Sequence, residues 1–283
     1  MARKQFLSFL LIFSLLISCA SALAEADDDD DWDDNVDDAW EMEHPLRSGD
    51  YAYAPLDDGM VKITSYGGAD TEIVIPDTLD GKPVTAIGEL AFHFSLSLTS
   101  VTIPDSVTSI GNSAFSDCSS LATVTLPASI SEISDHLFFA CDVLSSVNIP
   151  DSVTRIGESA FASCDQLHTI DIPDSVTIID HGAFQLSGIT SVSIPNSVTT
   201  IGNGAFSYCD TLTDVTLPGS LTEIGHMTFA HSLSLTSITI PASVTFIDND
   251  AFKYHNSLTL TVTPDSYAEE YAKARKIDYT YPD

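Results

Sequence analysis

The sequence has little positive charge. It contains 10 Lys and Arg residues against 41 Asp and Glu residues, which gives a formal net charge of −31. Proteins bind nucleic acids and anionic membrane surfaces with Lys and Arg side chains that neutralise phosphate groups. The composition therefore excludes nucleic acid as a partner. It leaves a membrane as a partner only through a covalent lipid anchor.

The usual sequence motifs of catalysis and cofactor binding are also missing. There is no G-x-S-x-G, H-E-x-x-H, P-loop or G-x-G-x-x-G pattern. Carboxylates are so numerous that no pair stands out as the acid and base of a glycosidase. The eight His residues have no repeated acidic partner and are expected on the surface. We predict a non-enzymatic protein with no cofactor and no metal ligands.

One hydrophobic run stands at the N-terminus, from Phe6 to Ile17 after Arg3 and Lys4. It is too short to span a bilayer, and with its basic start it predicts a signal peptide over residues 1–24. The residues before Glu25 form an A-x-A cleavage site. The alternative is a lipobox that ends at Cys19 and makes this residue a lipid-bearing N-terminus. Both alternatives place the mature protein outside the cytoplasm, secreted or at the cell surface.

Residues 25–47 are dominated by acids, including five consecutive Asp residues at 27–31. A segment with few apolar residues and strong like-charge repulsion cannot bury enough surface to fold. We predict a disordered acidic arm that acts as a spacer or collects calcium weakly. No D-x-[DN]-x-[DN]-G loop supports a dedicated calcium site.

The rest of the chain repeats itself. Phe and Pro recur every 23 residues, each with one step of 22. The Phe column is Phe92, Phe115, Phe138, Phe161, Phe184, Phe206, Phe229 and Phe252, and the Pro column is Pro104, Pro127, Pro150, Pro173, Pro195, Pro218, Pro241 and Pro264. Two columns in phase indicate a stack of similar coils.

Each unit reads approximately V-x-I-P-x-S-V-x-x-I-G-x-x-A-F-x-x-C-x-x-L. The alternating V-x-I predicts a strand that the Pro ends. The Gly, as at Gly111, suits a tight corner with positive φ, and Ala114-Phe115 suggests a short helical turn. One coil buries too little apolar surface to offset the entropy of ordering its residues, so coils must stack about 4.8 Å apart.

These features predict a leucine-rich repeat solenoid, a β-rich right-handed superhelix of about eight 23-residue coils with short helical turns. Residues 48–91 form an N-terminal hairpin cap and first coil, residues 92–264 the repeats, and residues 265–283 the C-terminal cap. In the last cap, Ser266 and Glu269 have capping-box spacing, which opens a helix to about Arg275. Tyr279 and Tyr281 suggest a final strand.

The repeat resembles a known family. The residues Thr102 to Val107, Ile110-Gly111, and Ala114-Phe115 through Cys118 to Leu121 are similar to BspA-like, Treponema pallidum-type leucine-rich repeats. The resemblance implies a bacterial surface protein that acts in adhesion. Its partner would be a protein or glycan on another cell or matrix. Fold alone does not determine such a function.

One column of the repeat contains four cysteines, Cys118, Cys141, Cys164 and Cys209. A catalytic nucleophile would occur once, not four times at one structural position. The column predicts buried thiols that face backbone groups. Disulfides between neighbouring coils are an alternative, although parallel side chains would strain them. Zinc is disfavoured because C-x₂-C spacing is absent.

Two surfaces are candidates for ligand contact. The first is the polar face of the V-x-I strands, which includes Asn148 and Asp171. The second is the loop edge after each repeated Phe, with Phe94, Phe139, Tyr208 and Tyr254. We expect a macromolecular binding or adhesion module at the cell surface. The alternative is a glycan- or calcium-dependent cell-wall binding module without catalytic activity.

Overall fold

The computed structural model describes residues 45–255 and 257–282. The predicted signal peptide, Cys19 and the acidic arm up to residue 44 lie outside this part. The chain then forms β1 (Leu46–Ser48), β2 (Tyr51–Pro55), β3 (Val61–Tyr66), β4 (Glu72–Val74), β5 (Thr78–Leu79) and β6 (Lys82–Ile87). Strands β2 and β3 make the predicted antiparallel hairpin, and β1 extends it. The cap therefore starts two residues before the predicted boundary at residue 48.

A second hairpin joins the cap to the repeats. Strands β5 and β6 are antiparallel, and Asp80 and Gly81 between them both have positive φ. This is the geometry of a two-residue turn that matches strand twist. The Asp80 carboxylate accepts hydrogen bonds from the hydroxyls of Tyr53 (2.6 Å) and Ser48 (2.8 Å). The turn is thereby attached to the first hairpin.

The repeats place short parallel strands on two faces of the stack. The front face continues β4 with β7 (Ser100–Thr102), β9 (Thr123–Thr125), β11 (Ser146–Asn148), β14 (Ser191–Ser193), β16 (Asp214–Thr216), β18 (Ser237–Thr239) and β20 (Thr259–Thr261). The back face continues β6 with β8 (Ser109–Ile110), β10 (Glu132–Ile133), β12 (Arg155–Ile156), β13 (Ile178–Ile179), β15 (Thr200–Ile201), β17 (Glu223–Ile224) and β19 (Phe246–Ile247). Within a strand pair, equivalent residues of successive coils lie in register.

The predicted solenoid is confirmed, with about ten turns and not eight. Both caps contribute coils of their own: β4 precedes the first repeat on the front face, and β21 (Asp278–Thr280) pairs in parallel with β20 after the last. Neither cap carries the repeat pattern in full. The eight residues in each of the Phe and Pro columns therefore do not include the cap coils.

The row of front-face strands is interrupted in the coil that has 22 residues and not 23. Residues 169–171 form no strand, although Val-x-Ile-like residues occupy them. The missing residue falls after Phe184, where Gly188 follows the Ser of the cysteine column. A Cβ built on Gly188 would lie 1.9 Å from the carbonyl oxygen of Asp165. Only glycine allows the shortened loop to approach the preceding coil this closely.

The core is a continuous column of aromatic rings. Neighbouring rings of the eight repeated Phe residues have centroids 4.8–6.0 Å apart and interplanar angles of 5–22°. Tyr66 stacks on Phe92 at one end, and Tyr271 packs on Phe252 at the other. Burial of these rings in contact with their neighbours stabilises the stack far more than any single coil could.

The predicted short helical turn around each Phe is a hydrogen-bonded turn that does not continue into a helix. Backbone N–H groups alternate between two kinds of acceptor: that of Ser116 donates within the turn to Ser113 (3.1 Å), whereas that of Phe115 donates to Leu137 in the next coil (3.1 Å). In an α-helix, every N–H beyond the first turn donates within the helix. Sharing half of them with the next coil joins the coils along this edge.

The prediction of a positive φ for the Gly after the back-face Ile is wrong. Among these residues, positive φ is not found at Gly111, Gly157, Gly202 or Gly225. Glycine is required by close packing instead, because a Cβ on Gly111 would lie 2.4 Å from the Glu89 backbone nitrogen. The positive φ occurs two residues later, as at Ser113 (56°).

The C-terminal cap is as predicted. Helix α1 (Tyr267–Arg275) begins after Ser266, whose hydroxyl accepts the Glu269 N–H, and ends at Lys276 with φ of 57°. Strand β21 follows it. In the described part of the chain, no helix has the length and hydrophobicity needed to cross a membrane.

Candidate ligand-binding surfaces

The cysteine column is a hydrogen-bonded ladder inside the solenoid. Each of its thiols donates at 3.1 Å to the carbonyl oxygen of the repeated Phe in the preceding coil, as Cys141 does to Phe115. Ser232 donates to Phe206 at 2.6 Å in the same way. All four described cysteines are free and buried, so the disulfide alternative is wrong. Burial raises the pKa of Cys118 and of Cys209 to about 12, which makes these thiols unreactive.

The loop edge is built on a strained backbone position. The residue two positions after each repeated Phe has φ between 56° and 72°. This column, which we call the edge column, consists of Phe94, Asp117, Ala140, Ser163, Leu186, Tyr208, His231 and Tyr254. A non-glycine residue there costs about 1 kcal/mol. Because Ala140 and Ser163 make the same turn, an aromatic ring at this position is not needed for folding.

Three rings of the edge column stack on one another. The Tyr208 and His231 centroids are 4.2 Å apart with the rings 11° from parallel, and those of His231 and Tyr254 are 4.0 Å apart at 29°. Tyr254 is 53% exposed, whereas Tyr208 and His231 are partly buried by each other. We call these three residues the aromatic ladder. His231 was not singled out in the sequence, although its position two residues after Phe229 could have identified it.

Two further side chains border the aromatic ladder. Leu233, two residues after His231, is 52% exposed. The Lys253 ammonium lies 5.3 Å from the centre of the Tyr254 ring and 3.2 Å from the Asp250 carboxylate. Exposed rings, an exposed Leu and a Lys already paired with an acid make this an apolar contact surface with a polar border.

The other predicted edge residues lie apart from the aromatic ladder. Phe94 is in the edge column and 45% exposed beside Leu96, which is 54% exposed, but four edge positions without aromatic rings separate it from Tyr208. The prediction that Phe139 is an exposed contact is wrong. It follows Phe138 by one residue and not two, and this places it in a largely buried column where it is 8% exposed.

The front face is polar as predicted. Asn148 is exposed at the end of β11, and Asp171 is exposed where no strand forms. An open depression of about 420 Å³ lies at this interruption. Its polar lining comes from Asp171 and Asp174 and from the hydroxyl residues Thr169, Ser191 and Ser193. The structure does not bring Asn148 and Asp171 into one site with the loop edge.

The repeat body is almost without positive charge. Between residues 84 and 252 there are 17 acidic residues and one basic residue, Arg155. The Arg155 guanidinium contacts the carboxylates of Asp135 (2.6 Å), Asp180 (2.9 Å) and Glu132 (3.1 Å) across three coils. This cation is therefore compensated internally, and the outer surface is negative. No group of three or more His, Cys, Asp or Glu in the described residues could hold a metal ion.

The stacked parallel coils, the Phe column and the ladder of thiols define a leucine-rich repeat solenoid. The family model of the BspA type leucine rich repeat region, in six copies, matches residues 85–211 and 133–259. The chain belongs to this family. No curated protein sequence matched it.

Several solved structures are similar to this chain. A leucine-rich repeat protein of Bacteroides ovatus ATCC 8483 is 27% identical with a TM-score of 0.56, over 77% of this chain and 55% of that one. The T. pallidum leucine-rich repeat protein is 26% identical with a TM-score of 0.49, over 84% and 98%. A leucine-rich cell surface protein of Faecalibacterium prausnitzii A2-165 is 25% identical with a TM-score of 0.44, over 85% and 95%.

Proposed function

We propose that the chain is an exported, non-catalytic binding module that captures a protein on another cell or in the matrix, with the aromatic ladder as its contact surface. The observation that carries this proposal is the stack of three rings at the loop edge, of which Tyr254 is 53% exposed and Tyr208 and His231 are partly buried. Tyrosine is enriched among the residues that dominate protein–protein binding energy. The fold does not need these rings, since other coils make the same turn without them.

The geometry of the aromatic ladder favours a protein over a flat ligand. Stacking of a sugar ring or a base needs an open aromatic face. Both faces of His231 are covered by its neighbours at 4.2 and 4.0 Å. The ladder presents ring edges together with exposed Leu233, and these groups suit side chains of a protein surface.

A second candidate function rests on the depression in the front face. Its carboxylates and hydroxyls could bind a glycan through hydrogen bonds, as a cell-wall binding module would, with or without calcium. Asp171 and Asp174 are exposed there and form no ion pair within the described residues. No aromatic side chain lines this depression, and for this reason we rank it below the aromatic ladder.

The proposal includes a location outside the cytoplasm, which both candidate functions require. The hydrophobic run from Phe6 to Ile17 fits an export signal, and Cys19 fits a lipid anchor. A protein similar in fold is described as a cell surface protein. Mass spectrometry of the mature N-terminus would distinguish release after Ala24 from lipidation at Cys19.

The test compares binding of full-length variants to intact epithelial cells, to immobilised matrix proteins and to purified cell-wall polysaccharide. We expect saturable binding to a protein target, with no turnover, and a loss of at least about tenfold in affinity for Tyr208→Ser combined with Tyr254→Ser. Phe94→Ser is the matched control, because it removes an exposed ring from the same column. Unchanged binding in the double variant, or polysaccharide binding that Asp171→Asn abolishes, would contradict the ladder proposal.

A further inference from the structure

We propose that the segment bound by the aromatic ladder is cationic as well as apolar, with Lys or Arg side chains that pair with carboxylates beside the rings. This inference rests on the proposed function and specifies the chemistry of the partner. It follows from three features: the unbalanced charge of the repeat body, the position of Asp210, and the use of the ring faces by other rings.

The repeat body attracts positive charge over its whole length. Residues 84–252 hold 17 acidic residues and one basic residue, Arg155, whose guanidinium already contacts three carboxylates. The next basic residue, Lys253, is paired with Asp250. Such a surface accelerates encounter with cationic partners and repels anionic ones, within a screening distance of about 8–10 Å in physiological salt. An acidic protein segment would meet net repulsion at any coil.

One negative charge, that of Asp210, lies close in sequence to the aromatic ladder. Asp210 follows Tyr208 by two residues, is exposed, and forms no ion pair within the described residues. The one Lys at the ladder, Lys253, is paired with Asp250 at 3.2 Å. The ladder therefore has an uncompensated carboxylate and no uncompensated cation, and a cation of the partner would supply the missing charge.

The rings themselves determine which group of the partner contacts which residue. A cation is attracted to an aromatic face and not to the edge, where the ring's partial charge is positive. Both faces of His231 are covered by the stacked tyrosines, and the Lys253 ammonium of the chain itself already lies 5.3 Å from the centre of the Tyr254 ring. Apolar side chains then pack on the ring edges and on exposed Leu233, while cationic side chains pair with Asp210. A segment in which apolar and basic residues alternate satisfies both.

The experiment uses the full-length protein and three synthetic dodecapeptides: alternating Leu and Arg, alternating Leu and Glu, and alternating Ser and Arg. Binding is measured by fluorescence anisotropy. We expect the Leu–Arg peptide to bind tightest, and Tyr208→Ser with Tyr254→Ser to weaken this binding by at least about tenfold. Asp210→Asn should weaken it by about fivefold.

Asp214→Asn is the matched control for charge. It removes the same charge from an exposed position four residues away on the front face, and we expect a change below about twofold. Equal losses for Asp210→Asn and Asp214→Asn would show a general field and overturn the local pairing. The inference would also be overturned if the Leu–Glu peptide bound as tightly as the Leu–Arg peptide. The same holds if the Ser–Arg peptide bound more tightly and its affinity did not change in the Tyr208→Ser, Tyr254→Ser variant. If cell or matrix binding still depends on the ladder in those cases, the proposed function stands and only the cationic chemistry fails.

Discussion

The cysteine ladder makes a quantitative prediction, because two of its positions differ in one hydrogen bond. The Phe115 carbonyl oxygen accepts one hydrogen bond in the described structure, from the Cys141 thiol at 3.1 Å. The Phe138 carbonyl oxygen accepts two, from the Cys164 thiol at 3.1 Å and from the Cys141 backbone N–H at 3.2 Å. Both thiols are fully buried. Replacing each by Ala therefore creates a similar cavity but a different hydrogen-bonding loss.

Cys141→Ala leaves the buried Phe115 carbonyl without a partner, whereas Cys164→Ala leaves Phe138 with its backbone donor. An unsatisfied buried carbonyl costs about 1–3 kcal/mol. The lower end applies because a thiol is a weak donor. We expect Cys141→Ala to lower the free energy of unfolding by about 1 kcal/mol more than Cys164→Ala does. This corresponds to about a fivefold difference in the unfolding constant.

Urea denaturation monitored by far-UV circular dichroism measures this difference. All variants are fitted with one m value, the slope of the free energy of unfolding against urea concentration. Cys141→Ser is the restoring variant, because Ser232 already donates to Phe206 from the same column at 2.6 Å. It should recover at least half of the loss. Equal destabilisation by the two Ala variants, with no recovery in Cys141→Ser, would refute the idea that these side chains act as hydrogen-bond donors and would leave only their volume.

Three further predictions concern the backbone, the charges and the C-terminal cap. Gly188→Ala should destabilise by about 3 kcal/mol in urea denaturation, because its Cβ would lie 1.9 Å from a backbone oxygen, whereas Gly219→Ala, with 3.5 Å to the nearest side-chain atom, should change stability little. Arg155→Gln should cost about 2 kcal/mol at low salt and less at high salt, because three carboxylates lose their shared cation. Hydrogen bonds from Lys273, Tyr281 and the Asp265 N–H lower the pKa of Glu269 from 4.5 to about 2. Its stabilising contribution should be complete above pH 4.5 and vanish as the pH falls to about 2, so melting temperatures of the protein and of Glu269→Gln should converge across that window.

The repetition in the sequence is sufficient to predict the solenoid, because every coil must bury the same columns against its neighbours. The strands at the V-x-I residues, the hairpin around Gly59 and the helix after Ser266 all follow from local patterns. The hydrogen bonding around each Phe does not. Ala114-Phe115 fits a helical turn locally, and the alternation of its hydrogen bonds between two coils depends on the neighbouring coil, which no single repeat contains.

The same limit explains the errors about glycine and Phe139. The sequence pattern suggests that Gly111 is needed for a positive φ. Glycine is needed there because a Cβ would lie 2.4 Å from the backbone nitrogen of Glu89, a residue 22 positions earlier in the chain. The prediction of an exposed Phe139 fails because residues one and two positions after the repeated Phe belong to different columns. One residue decides between the buried and the exposed column in a turn with this alternation, as it does in a strand.

The edge column shows how a repeat protein can gain a binding surface without a change of fold. Its backbone takes the same left-handed conformation with Asp117, Ala140, Leu186 or Tyr208, so the side chain there is set by neither φ nor core packing. Rings become useful only when consecutive coils carry them, because the coil spacing then brings them within stacking distance, as at Tyr208 and His231. The next edge position after Phe94 is Asp117, so the Phe94 ring packs on His93 of its own coil at 4.1 Å and not on a ring of the next coil. A binding surface in this fold is therefore a property of runs within one column, and it is found by comparing side chains down a column and not along the chain.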